Sequence, residues 1–154
     1  MFIKQLPPQC DSIRKSDARN QFAALCYRVI ENRVEVLMIT TRRSRRWIVP
    51  KGWPMDGMTP AECAAQEAWE EAGVRGDIHE RCVGMFSYGK LMDTGDVVAC
   101  LAMVYPVRVR GVSDDFPEVN QRRRKWCSRK KAARLVMEPE LARILRDFDP
   151  RSLG

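Results

Sequence analysis

Between Gln21 and Thr40 the chain reads QFAALCYRVI, then Glu31-Asn32, then RVEVLMIT: two runs of branched, aromatic and small apolar residues around a polar break. The pattern predicts two strands, Gln21 to Ile30 and Arg33 to Thr40, joined like a hairpin. A polar, basic stretch (TTRRSRR) follows as a loop, and the short apolar run Trp47 to Val49 predicts a brief strand that ends at Pro50. Next comes a helix, announced by its punctuation. Thr59 is an N-cap, Pro60 occupies the first helical position where a missing N–H costs nothing, and Glu62 completes a capping box. Gly73 supplies the stop, because a residue without Cβ takes the left-handed conformation that closes a helix. Within these limits Ala61, Ala64, Ala65, Ala68 and Ala72 allow close seating on neighbouring backbone.

Beyond the helix, Ile78 to Tyr88 and Val97 to Arg110 read as long strands with a connection from Gly89 to Gly95. Asp114, Asp115 and Pro117 mark an irregular loop, and Arg123 to Cys127 a short strand. Ser128 is an N-cap for a helix from Arg129 to Met137, and a last helix runs from Pro139 to Phe148. Strands on both sides of one helix, then further helices, predict an α/β (α+β) fold with a mixed sheet. Residues 1–18 read as a polar, Pro-containing arm, residues 19–149 as one domain and residues 150–154 as a polar tail. There is no internal repeat or linker that would split the chain.

The helix carries the chemistry. Glu67, Glu70 and Glu71 stand at i, i+3 and i+4, which puts three carboxylates on one face about a turn apart. Like charges at these spacings repel, so either the face is solvated or a cation is expected there. Hard divalent ions such as Mg²⁺ and Mn²⁺ prefer carboxylate oxygens and keep several waters, which suits a short acidic cluster acting on a phosphate substrate.

Composition narrows the setting. An apolar fraction of 45% with 31% charged residues fits a soluble single domain, and no apolar run is long enough to span a bilayer. The N-terminal residues lack the apolar core of a signal peptide. Six scattered cysteines without a C-x-x-C pair read as thiols of a reducing cytoplasm. The net charge of +7 is concentrated in two groups, Arg42, Arg43, Arg45, Arg46 and Lys51 before the helix, and Arg122 to Arg134 near the end. Solvated runs and a polyanionic partner, nucleic acid included, both fit such groups. The single histidine, His79, has no adjacent partner in sequence and reads as structural.

The stretch GWPMDGMTPAECAAQEAWEEAGV, residues 52–74, resembles the Nudix box, G-x5-E-x7-R-E-U-x-E-E-x-G-U, in gapless register. Gly52, Glu67, Glu70, Glu71, Gly73 and Val74 match. Met58 stands for the first Glu of the box, Gln66 for its Arg, and Ala68 for an apolar residue. RWIVPKG, VGMF and RRRKWCSRKKAARLV are similar to parts of the diphosphoinositol polyphosphate phosphohydrolase branch, which also cleaves diadenosine polyphosphates. That branch has Gly-Gly-Gly where this chain has Lys51-Gly52-Trp53.

The resemblance implies an α/β/α sandwich and a metal-dependent hydrolase of a phosphoanhydride in a small polyphosphate substrate. Glu67 and Glu71 are then the main metal ligands with the Gly52 carbonyl, and Glu70 is the general base or a ligand through water. Arg42, then Arg19 and Arg122, match phosphate-binding positions, and Lys51 adds a phosphate-seeking charge. Glu62 is a substitute support for the box. The loss of the box Arg and first Glu motivates a second reading, a Nudix-fold protein of weak catalysis that binds nucleotide or RNA as a regulator.

Overall fold

A computed structural model describes residues 19–153; the arm at 1–18 lies outside them. In chain order the elements are β1 (Arg19–Ile30), β2 (Arg33–Thr40), β3 (Trp47–Ile48), β4 (Lys51–Gly52), α1 (Pro60–Ala72), β5 (Val74–Ile78), β6 (Gly84–Leu91), β7 (Val97–Val112), β8 (Arg124–Ser128), α2 (Arg129–Leu135) and α3 (Pro139–Asp147). A 3-10 turn, Pro150–Leu153, follows.

All eight strands belong to one mixed sheet with β1 at its centre. β1 and β7 run parallel over nine residue pairs, from Arg19 opposite Cys100 to Tyr27 opposite Arg108. Every other pairing is antiparallel. β1 is buried along most of its length, as a strand with helices on both faces must be. Alternation assigns the faces. Tyr27 stacks edge-on against Phe148 at the end of α3, so the odd residues of β1 face α3 and the even ones, Cys26 among them, face α1. The arrangement is an α/β/α sandwich.

α1 starts and stops as its punctuation predicts. The Thr59 hydroxyl accepts from the Glu62 N–H at 3.1 Å, and Glu62 Oε1 accepts from the Thr59 N–H at 2.8 Å. Gly73 caps the other end at φ 70°. Ala61, Ala64, Ala68 and Ala72 are fully buried, so α1 sits directly on the sheet.

Four features differ from expectation. Ile78 to Tyr88 is not one strand: β5 ends at Ile78 and β6 begins at Gly84, both beside β7. Ile78 faces Val107 and Gly84 faces Val104, so five residues stand against two on β7, tied to it at their ends by the His79 N–H to the Pro106 carbonyl and the Val83 N–H to the Val104 carbonyl. The expected connection from Gly89 is shorter, because β6 continues to Leu91 and turns back at Gly95, φ 92°. Lys51 and Gly52, read as loop, pair with Ala23 and Phe22 of β1. At the C-terminus the residues read as a tail form the 3-10 turn, and Leu153 packs on the core. His79 is structural, its Nε2 against the Leu153 carbonyl at 3.1 Å and its Nδ1 accepting from the Arg81 N–H. Among the described residues no helix is long and apolar enough to cross a membrane.

Candidate active site

The site begins where β4 meets α1. Opposite residues of an antiparallel pair share a face, so Gly52, facing Phe22, lies on the α1 side of the sheet, and Lys51, facing Ala23, on the α3 side. Gly52 is present for lack of a side chain: a Cβ there would run into the Glu67 carboxylate. Glu67 and Glu71 are only 9% and 6% exposed and project one helical turn apart into this space. Burial and a hydrogen bond to Glu71 push the Glu67 carboxyl up to about 8. Glu71 is also raised by burial, against the opposing pull of Arg122 and Lys51. Two buried carboxylates therefore share a site in which both cannot comfortably ionise.

Glu70 has a different partner. Its Oε2 accepts from Gln66 Nε2 at 2.7 Å, so the residue in the box's Arg position holds Glu70 by a neutral hydrogen bond. Glu62 is spent in the capping box and gives the cluster no support. Met58, in place of the first box Glu, lines a recess of about 480 Å³ on the other side of α1 with Ala65, Trp69 and Val107. None of the three carboxylates opens onto it.

Arg122 is matched to a phosphate-binding position, yet its guanidinium is already engaged. Nε donates to Glu118 Oε1 at 2.8 Å, Nη1 to the Thr40 carbonyl at 3.1 Å, and Nη2 lies 3.8 Å from Glu71 Oε1. The Glu118 N–H in turn donates to the Glu70 carbonyl at 3.0 Å. Glu118 is thus the one loop acid, among those beyond the helix, that the fold brings to the cluster. It lies in a loop, where sequence spacing does not single it out from Asp93 or Asp96.

The expected phosphate binders are dispersed. Lys51 lies with its Nζ 4.9 Å from the centre of the Tyr88 ring, and burial lowers its ammonium to about 8. Arg19 and Tyr88 both stand opposite Cys100, and Lys90 follows Tyr88 by two residues on β6, so alternation puts Arg19, Lys51 and Lys90 on the α3 side of the sheet. Lys90 had no motif or spacing to reveal it. Arg42 stands in the exposed loop before β3, where Nη1 meets Gln121 Oε1 at 3.3 Å.

A divalent ion fits the donors present. Glu67, Glu71 and the Gly52 backbone offer hard oxygens, and an ion there would relieve the crowding that raises both carboxyls. Among the described residues no group of three or more acidic, histidine or cysteine side chains is placed to hold a metal ion; the hard donors gathered here are two carboxylates and a backbone carbonyl.

The family model of the NUDIX domain matches residues 19–148. The chain belongs to the Nudix family. It is 31% identical over 120 residues to Nudix hydrolase 12, mitochondrial, of Arabidopsis thaliana, covering 76% of this chain and 59% of that protein. It is 35% identical over 85 residues to diphosphoinositol polyphosphate phosphohydrolase 2 of Rattus norvegicus, covering 54% and 46%. This Nudix chain therefore spans about half to three-fifths of the length of these relatives. Among solved structures it resembles the C. elegans Ap4A hydrolase, with a TM-score of 0.58 at 21% identity over 84% of this chain and 94% of that one. It also resembles the NUDIX domain of Shewanella oneidensis NrtR complexed with ADP ribose, with a TM-score of 0.60 at 10% identity over 92% and 96%. Both likenesses are of fold.

Proposed function

We propose that this Nudix chain is a Mg²⁺- or Mn²⁺-dependent hydrolase of a phosphoanhydride bond in a nucleoside or inositol polyphosphate linked to another group. Diadenosine polyphosphate-like and diphosphoinositol polyphosphate-like compounds are the leading substrates, in keeping with the Ap4A hydrolase and the rat phosphohydrolase it resembles. The observation that carries the reading is the buried Glu67–Glu71 pair against a glycine that cannot bear a side chain.

Glu67, Glu71 and the Gly52 carbonyl would hold the ion, which when bound neutralises phosphate charge and acidifies water. Glu70, held by Gln66, accepts the proton of the water whose oxygen bonds to phosphorus as the anhydride P–O bond breaks. Lys51, Arg19, Lys90 and Arg42 bind polyphosphate oxygens, a role suited to Arg through its planar fork. Arg122 serves the carboxylates. The five described cysteines are free, in keeping with a reducing cytoplasm, and cell fractionation tests that placement.

The test is product release from dinucleoside polyphosphates, diphosphoinositol phosphates, nucleoside triphosphates and ADP-ribose with Mg²⁺ or Mn²⁺. Turnover by the wild type that Glu70→Gln abolishes is the expected result. The second reading, a nucleotide- or RNA-binding regulator, draws on one surface: Arg123 and Lys125 flank the Trp47 ring at 5.6 and 5.9 Å, a basic and aromatic platform of the kind that stacks bases. Folded protein with no turnover across the panel, and binding to single-stranded RNA, would replace the hydrolase by the regulator.

A further inference from the structure

α1 has an electrostatic problem at its C-terminal end. Glu70 and Glu71 lie in its last turn, where the helix dipole is negative, Glu67 stands one turn back, and the helix contains no Lys or Arg. The charge is met from elsewhere. Arg124 Nη1 donates at 2.8 Å to the Ala72 carbonyl, one of the acceptors at the helix end, and at 2.8 Å to that of Ser113. Arg122, two residues earlier, reaches Glu71 and Glu118.

The backbone around Arg122 is tied down independently. The Arg123 N–H donates to Thr40 Oγ1 at 2.9 Å, and the Thr40 N–H to the Arg123 carbonyl at 3.1 Å. Glu118 is fastened to Glu70 through its own N–H. With Nε and Nη1 engaged at fixed points, Nη2 is left directed at Glu71. The Arg122 side chain is 10% exposed, so water does little to weaken the interaction.

We propose that Arg122 is a positioning residue: it supplies from the far end of the chain the positive charge that α1 lacks, and keeps Glu71 and its neighbours assembled when no metal is bound. The inference rests on the metal-binding reading above. It separates Arg122 from the substrate-binding arginines. A counter-charge of this kind matters most when the carboxylates are bare and least when a divalent ion covers them. An arginine that merely fills space matters equally in both states.

Melting temperatures of the wild type, Arg122→Gln and Arg122→Gln/Gln66→Arg, each with EDTA and with millimolar Mn²⁺, decide the matter. In Arg122→Gln the loss with EDTA is expected to exceed the loss with Mn²⁺ by about 3 °C or more. In the double variant, the cation placed beside Glu70 is expected to recover most of the EDTA loss. Equal losses with and without Mn²⁺, or a greater loss with Mn²⁺, overturn the proposal. If Arg122→Gln folds in neither condition, the double variant decides: restored folding supports the assignment and continued failure overturns it. A wild type that shows no Mn²⁺ shift, by contrast, defeats the metal reading itself.

Discussion

Gly52 and Glu67 occupy what is nearly one volume: a Cβ built on Gly52 would stand 2.7 Å from Glu67 Oε1 and closer still to the rest of the carboxyl group. Gly52→Ala therefore displaces Glu67, or β4, by a sizeable part of an ångström. A misplacement of that order at reacting groups costs about 100-fold. The expected outcome is a fall in kcat/KM of at least about that factor, with the Mn²⁺-induced rise in Tm reduced in parallel. Unchanged kinetics would show that the approach is not needed.

The Glu67 carboxyl, ordinarily near 4.5, is pushed by burial to about 8, and Glu71 moves in the same direction. Across that window the folded protein holds more protons than the unfolded chain, so stability is greatest at low pH and is lost as pH rises toward 8. With EDTA, Tm is expected to fall from about pH 5 to about pH 8. With Mn²⁺ the trend reverses, because the ion needs ionised ligands, and Glu67→Gln flattens the EDTA profile.

Lys51 titrates near 8 because burial disfavours its charged form. If its ammonium binds phosphate, kcat/KM declines as pH passes through about 8, chiefly through a rise in KM. Lys51→Arg, which stays charged at every working pH, removes that inflection. A profile unchanged in Lys51→Arg takes Lys51 out of the binding step.

Gly73 closes α1 in the left-handed region at φ 70°, and a Cβ there would meet Phe116 Cδ1 at 2.6 Å and the Ser113 carbonyl at 2.7 Å. Backbone strain alone costs Gly73→Ala about 1–2 kcal/mol, and the contacts add to it. Thermal unfolding is expected to show a Tm lower by about 4 °C or more, with Mn²⁺ and without it.

What could be read from the sequence was local. Thr59, Pro60, Glu62 and Gly73 act within a turn of themselves, and they placed both ends of α1. The three carboxylates followed from helical spacing. What escaped notice depends on contacts between distant segments. The excursion from His79 to Val83 contains neither Gly nor Pro, so Ile78 to Tyr88 looked continuous; only pairing with β7 shows the break. Lys90 joins Arg19 and Lys51 because β6 and β1 both flank β7. Arg122 could be matched to a motif, but that its guanidinium is consumed by Glu71, Glu118 and Thr40 follows from how β2, α1 and the loop before β8 converge.

The pairing of Lys51 and Gly52 with β1 also governs how the protein comes apart. The Ala24 N–H donates to the Pro50 carbonyl at 2.9 Å, so the segment leading into the box is stitched to the central strand. In hydrogen-exchange terms, the glycine floor of the site is expected to open together with the central strand, although the peptide itself is only two residues of strand. Inactivation by heat is then expected to coincide with global unfolding and leave no folded, catalytically silent intermediate, and a substitution at Phe22 or Ala23 is expected to reach Gly52 directly through the backbone.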